Sequence, residues 1–488
     1  MEREIYSIVA NNPEVAAYGM AKYSRSSLSL KQSLLELSEQ KAKDFLNTFY
    51  FQYGHSSIAD LAHIAIAIEN ISIWAAMIIV DEPLWDGQER STRYQDFKKT
   101  KYYIPEDVTG QYNQIANEMF NKYDDLSNRI LNYYTDKYKQ PEGMSKESYL
   151  RTLKARAFDV GRYWLPLCTK TSLGQITNAR TLERQVSRLL TSKLEEVREI
   201  ANEIRESVVK NEPFNLLLEK NKDFTLSQEL DYKLKTGPLL PTLAKYMNKN
   251  EFYENSINSL KEVAKNLFRN MVPEKTPGVA LYTNVNPLIH ACTVLLYNVS
   301  NFSYGQVSEV VEKLDKSQKE EILDIAFRYR GRHDSWLREL QSQPLIFDIT
   351  MDIGSFRDLN RHRKVTKILQ NPSFDLGFAV PEVIQSTRFE NDYITEMRNH
   401  FERIKNTFNS ANSENLYLLP LGTLCRSLHQ MDIQEAAYII ELRTGSAGHF
   451  SYREVAYKMY EELDKKYPEF SKYIRVTNPR EVFNPFQR

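Results

Sequence analysis

One order of features occurs twice along this chain. It runs His-x-Ser, an alternating strand, a helix, a Leu-Pro step and a pair of arginines. The first copy has His55-Ser56-Ser57, then Ile64, Ile66 and Ile68 alternating with other residues. The second has His333-Asp334-Ser335, then Phe347, Ile349, Met351 and Ile353 alternating with Asp348, Thr350 and Asp352. Period-two alternation predicts a half-buried strand. Each strand leads into a helix, expected to be capped at Ser72 and at Ser355 by a side-chain oxygen. Leu165-Pro166 is echoed by Leu419-Pro420, and Arg188 and Arg198 stand as far apart as Arg443 and Arg453. Chance similarity between two α/β segments would not keep so many features in order, so we read a diverged tandem duplication.

The chain has 488 residues, which suits two or three domains. We place the first copy at 1–215, a linker at 216–250 punctuated by Gly237-Pro238 and Pro241, and the second copy at 251–488. Helices are expected near 29–50, 112–136, 182–209, 390–410 and 451–466, with 251–330 mostly helical. The class is α+β, helix-rich overall. Lys+Arg and Asp+Glu are both 64, so the zero net charge gives no support to a nucleic-acid or membrane-surface role. Charged residues follow Met1 where a signal peptide would be apolar, and Glu69 and Asn70 interrupt the apolar stretch 61–80. A cytoplasmic protein is the expectation, with 61–80 a strand and a helix. Cys168, Cys292 and Cys425 are too scattered for a disulfide framework or a zinc site, and buried thiols are expected. No metal is expected.

Three clusters suggest chemistry. Arg361-His362-Arg363, with Arg357 one turn earlier, concentrates guanidinium groups that suit phosphate, although a solvated basic helix face is the simpler reading of such a cluster alone. Glu89, Ser91, Arg93 and Tyr94 would share a face if extended, presenting a hydroxyl and a guanidinium to one phosphate. An ordinary polar loop is the alternative. Asn178-Ala179-Arg180 opens an arginine stripe with Arg184 and Arg188, which either faces water or lines an anion site. There is no Gly-x-Gly-x-x-Gly loop, so a redox cofactor needs another geometry.

Taken together, the clusters resemble the signature of the flavin-dependent thymidylate synthases, an Arg-His-Arg followed by Ser-x-Arg in one uninterrupted stretch. Here each copy keeps one part. Aligned from Ile68-Glu69-Asn70-Ile71-Ser72, the first copy has Asp81-Glu82-Pro83 in place of Arg-His-Arg but keeps Glu89, Ser91, Arg93 and Tyr94. The second keeps Arg361-His362-Arg363 but has Asn371 and Ser373 where Ser and Arg belong. Thr366 replaces the family's Ser, and Asp358 its Gln. Exchanging Arg-His-Arg for Asp81-Glu82-Pro83 shifts local charge by about four units, which repels phosphate. Pro83 removes a backbone donor.

The resemblance implies two tandem copies of that fold, an antiparallel sheet with long helices. Family members are homotetramers with sites between subunits, so a two-copy chain would form a homodimer that is a pseudo-tetramer. Two composite sites would join the surviving halves, and the other two would be vestigial. FAD would be held by Arg361, His362, Arg363, Arg443 and Glu89, with His333 and Ser335, or else His55, facing the flavin. Glu89, Ser91, Arg93, Arg180, Arg361 and Arg453 would bind dUMP. Either Arg453 or Arg198 would favour ionisation of the uracil N3. The implied reaction makes dTMP from dUMP, with 5,10-methylenetetrahydrofolate giving the carbon and NADPH the reducing equivalents. No enzyme thiol need attack the ring. The rival readings are an inactive flavin- or nucleotide-binding homologue and a flavin enzyme modifying another pyrimidine.

Overall fold

The computed structural model describes residues 13–21, 56–215, 237–252 and 278–486, together with a few positions between 254 and 266. Residues 94–95, 98–99, 107, 109, 245–246, 284–285, 301, 331–335, 338–339, 342–344, 408–412 and 482–483 are outside the description. His55, His333, Ser335, the helix expected at 29–50 and most of the 216–250 linker therefore lie outside it. In chain order the main elements are α1 (Pro13–Ala21), β1 (His63–Ser72), α2 (Ile73–Ile79), β2 (Asp86–Glu89), α3 (Gly110–Lys137), α4 (Lys146–Gly161), β3 (Lys170–Asn178), α5 (Ala179–Leu190), α6 (Glu195–Val209), β4 (Gly278–Tyr282), α7 (Pro287–Asn298), α8 (Tyr304–Lys313), α9 (Lys316–Phe327), β5 (Leu345–Asp352), α10 (Ile353–Leu359), β6 (Thr366–Leu369), α11 (Glu390–Thr407), β7 (Leu424–Met431), α12 (Ile433–Arg443) and α13 (Phe450–Lys466). The class is α+β and helix-rich. No described helix is long and apolar enough to cross a membrane, and the 61–80 stretch is a strand and a helix, as its sequence predicts.

The chain forms two compact units. One contains residues 1–90 and 170–271, the other 91–169 and 272–488. The first unit carries a three-stranded antiparallel sheet, ordered β1-β3-β2. A bulge between Ile68 and Ile71 puts Asn70 at φ 60°, a left-handed conformation that asparagine tolerates. Ser72 caps α2 by accepting from Ala75 N at 2.9 Å. The helix expected over 182–209 is two helices, because the chain breaks between α5 and α6 at Ser192-Lys193.

The second unit carries a four-stranded antiparallel sheet, ordered β4-β5-β7-β6. The alternating Phe347, Ile349 and Met351 of β5 are buried in its core. Here the expected cap differs. Asp352, not Ser355, caps α10, accepting from Ser355 N at 2.8 Å while the Ser355 hydroxyl donates to the same carboxylate. The helix starts earlier because a carboxylate accepts from two donors at once.

Within this second unit the two Leu-Pro echoes pair with each other. Pro166 faces Pro420 in an antiparallel bridge. Leu167 N donates to Leu419 O and Leu421 N to Leu165 O, both at 2.9 Å. Cys168 N reaches Tyr417 O at 2.8 Å, and Gly422 N reaches Tyr163 O at 3.1 Å. Each bond has its counterpart with the copies exchanged, so the contact has a local two-fold axis of the kind two identical chains make. All three cysteines are buried. Burial pushes the Cys292 thiol up to about 11.

Candidate active site

The Arg-His-Arg stretch begins where α10 ends, and the helix end divides it. His362 turns inward and is buried, while Arg361, Arg363 and the following Lys364 are exposed. The His362 Nε2 accepts from Arg443 Nε at 2.8 Å. An arginine can only donate, so that nitrogen carries the lone pair and Nδ1 carries the proton. Nδ1 lies 3.5 Å from the Glu435 carboxylate. Burial, reinforced by Arg443 and Lys367, holds the imidazole below its ordinary value against the pull of Glu435. The motif thus offers outward cations anchored on a neutral inner histidine.

The Ser-x-Arg stretch lies in the same unit. It is a turn, not the extended segment its spacing suggested. Ser91 Oγ accepts from Arg93 N at 3.2 Å, which bends the backbone and turns the Arg93 side chain inward. Arg93 Nε and Nη2 hold the two oxygens of Asp159 at 2.7 and 3.1 Å, a bidentate pair. Nη2 also donates to Ala447 O at 3.2 Å, and Nη1 donates to the Tyr452 hydroxyl at 3.3 Å. Between Ser91 and Arg93, Thr92 is buried, with its hydroxyl 3.4 Å from Arg162 Nη1.

Arg162 also reaches Asp358 with both terminal nitrogens at 3.3 Å. Burial raises the Asp358 pKa, but Arg162, Arg361, Arg93 and Arg357 together outweigh it and hold the carboxyl below its ordinary value. One carboxylate therefore feels arginines of both half-motifs. Tyr452 is a second meeting point, since Arg93 Cζ lies 5.9 Å and Arg443 Cζ 5.3 Å from its ring centroid. Arg453, next along α13, is buried and donates to Thr444 O at 2.9 Å. Burial and the neighbouring Arg156 lower its pKa. Arg156 itself reaches the carbonyls of Ser446 and Gly448, both at 3.4 Å.

The second unit thus brings together Ser91, Arg93, Arg361, His362, Arg363, Arg443 and Arg453. Glu89, Arg180 and Arg198 belong to the first unit. There Glu89 pairs with Leu173 across the sheet, and Arg180 is ion-paired with Asp60. Arg198 donates to the carbonyls of Ser192 and Lys193 at 2.9 and 2.8 Å, tying down the turn before its helix. Where the second copy has His362 beside Arg443, the first has Glu82 beside Arg188, at 3.6 Å, with Arg184 at 3.9 Å. Burial raises the Glu82 pKa while the two arginines oppose it. A carboxylate already answers the arginine there.

Asp159, Arg156, Arg162 and Tyr452 were not singled out from the sequence. A signal existed for the first three: charges on the apolar stripe of α4 and just beyond its end, among Leu153, Ala157 and Val160, mark a buried polar network.

The sequence model of the thymidylate synthase complementing protein family matches this chain twice, over residues 7–214 and 282–469. The chain belongs to that family, the flavin-dependent thymidylate synthases, and carries its domain in tandem. Over nearly its whole length it is similar to a UPF0159 protein of Chlamydia muridarum (strain MoPn / Nigg), 25% identical over 97% of this chain and 92% of the relative. A flavin-dependent thymidylate synthase of Clostridium tetani (strain Massachusetts / E88) is 27% identical over 41% of this chain and 80% of its own. Among solved structures, the UMP/dUMP methylase PolB from Streptomyces cacaoi, bound with 5-Br dUMP, matches with a TM-score of 0.32 and 14% identity, over 43% of this chain and 99% of that one. Thymidylate synthase X from Helicobacter pylori, with FAD and dUMP, matches with a TM-score of 0.25 and 16% identity, over 40% of this chain and 88% of that one.

Proposed function

We propose that this chain is an FAD-dependent thymidylate synthase that makes dTMP from dUMP with 5,10-methylenetetrahydrofolate and NADPH. Residues 1–215 and 251–488 are its two sequence copies, joined by 216–250. The carrying observation is that Arg93 of the first copy and Arg443 of the second approach the same Tyr452 ring inside one compact unit. Drift after loss of function has no reason to spare complementary halves and also bring them together. The working site is therefore composite within a single chain, one per chain and two in the homodimer.

The donor set fits the ligands. Arg361, Arg363 and Lys364 are exposed cations next along the chain to His362, which accepts from Arg443, a set suited to the diphosphate of FAD. Arg93, held in register by Asp159, with the Ser91 hydroxyl in the same turn, suits the phosphate monoester of dUMP. Bound FAD would supply the hydride chemistry. His362 orients Arg443 through its lone pair. Of the two candidates for ionising the uracil ring, Arg453 is favoured over Arg198, because it belongs to the same unit as both half-motifs. Its guanidinium would stabilise anionic charge developing on the pyrimidine.

The test is dTMP formation by the purified protein from dUMP, methylenetetrahydrofolate, FAD and NADPH. Product that disappears in both Arg93→Ala and Arg361→Ala supports the reading. A folded, flavin-binding protein that forms no product and does not bind dUMP overturns it.

A further inference from the structure

Tyr452 stands between the two half-motifs. Its hydroxyl accepts from Arg93 Nη1 at 3.3 Å, and its ring centroid lies 5.3 Å from Arg443 Cζ. Arg443 continues to His362 at 2.8 Å. A chain of direct contacts thus runs from the Ser-x-Arg turn to the Arg-His-Arg stretch. The ring is held firmly, since Tyr452 is 5% exposed. Its place also depends on Gly448, where an added Cβ would lie 2.8 Å from Tyr452 Cε2 and 3.0 Å from its hydroxyl. The aromatic quadrupole attracts both guanidinium groups, so one ring lets two like charges sit close together. The corresponding position in the first copy is Val197, which offers neither hydroxyl nor ring.

We propose that Tyr452 is a positioning residue that couples the nucleotide guanidinium of Arg93 to the flavin guanidinium of Arg443, so that filling either half of the site tightens the other. A phosphate that draws on Arg93 shifts its bond to the hydroxyl. The same ring lies against Arg443, so the change at its hydroxyl is felt there. This inference rests on the function proposed above.

The experiment measures the dissociation constant of dUMP by calorimetry with and without FAD, and that of FAD by flavin fluorescence with and without dUMP. In the unaltered protein each ligand should tighten the other by the same factor, at least about fivefold. Tyr452→Val should bring that factor to one while each ligand still binds alone. Tyr452→Phe, which keeps the ring and loses the hydroxyl bond, should give a reduced factor. A merely structural tyrosine would weaken both ligands and lower the melting temperature but leave the factor unchanged, and that result overturns the proposal. So does the absence of coupling in the unaltered protein. Should Tyr452→Val not fold, Tyr452→Phe decides, an unchanged factor again overturning it. Failure of the unaltered protein to bind either ligand is a separate outcome, which removes the functional reading and this inference with it.

Discussion

Arg93 is held in a structural ion pair with Asp159 and is also the proposed nucleotide ligand, and the two roles can be separated. Its pair with Asp159 is largely buried, with side-chain exposures of 11% and 5%. Removing Arg93 leaves the buried Asp159 carboxylate with the more distant Arg156 Nη1, 3.8 Å away, at a cost of up to about 3–5 kcal/mol. Arg93→Ala should therefore lower stability by about that much in urea unfolding and abolish dUMP binding. Arg93→Ala combined with Asp159→Ala should regain much of the stability and none of the binding. Recovery of binding in the double variant would show that Arg93 does not touch the nucleotide. The sequence marked Arg93 as an anion-binding candidate, but its counter-ion was not legible there. Asp159 lies sixty-six positions away on an apolar stripe, and only tertiary packing pairs them. The extended conformation expected for Ser91 and Arg93 gave way to a turn, because the Ser91 hydroxyl competes for the backbone locally.

At the scale of elements, the copies hold equivalent helices by the same contact with its chemistry reversed. In the first, Ser72 caps α2, and its backbone N–H and hydroxyl donate to Glu196 of α6 at 2.8 and 2.6 Å. In the second, Asp352 caps α10 and accepts from the Ser451 hydroxyl of α13. Acid and hydroxyl have changed places. Ser72→Asp alone would set two buried carboxylates against each other. Ser72→Asp with Glu196→Ser rebuilds the arrangement of the second copy, and urea unfolding should find it more stable than Ser72→Asp by at least about 1 kcal/mol. Strands β1 and β5 and the long helices α3 and α13 were legible, because alternation and helical periodicity are local signals. The cap at Asp352 was not, since serine and aspartate are both good caps and the choice depends on where the strand ends. Nor was the break between α5 and α6, which falls in a stretch without Gly or Pro.

For the whole molecule, the first expectation concerns acid. Burial depresses the pKa of His362 and His449, and takes those of His400 and His429 to about 4 and about 3. All four lie in the second unit. The unfolded chain binds protons near pH 6.5 and the native one only further down, so stability is full above that pH and is lost as pH falls. Each histidine contributes on the order of 1 kcal/mol per pH unit within its window. The melting temperature of the protein should fall steadily from pH 6.5 to pH 4.5, and a flat profile would contradict the buried neutral imidazoles. The second expectation concerns assembly. If the site is composite within one chain, as proposed, Arg93→Ala and Arg361→Ala chains, each inactive, should stay inactive when mixed and refolded together. Regained dTMP formation would place the sites between chains. The duplication itself was legible in the sequence. That its two Leu-Pro steps face each other was not, since an echo says that two segments are alike and not that they touch. The contact has a consequence for heredity. Where two identical chains meet on a two-fold axis, every substitution arrives twice, and a bulky change confronts its own copy. Here Cys168 and Gly422 occupy matching places on one polypeptide, and a Cβ at 422 would come within 2.7 Å of Tyr163. One side has kept a side chain and the other has dispensed with it. Fusion let each half of an ancestral symmetry mutate alone.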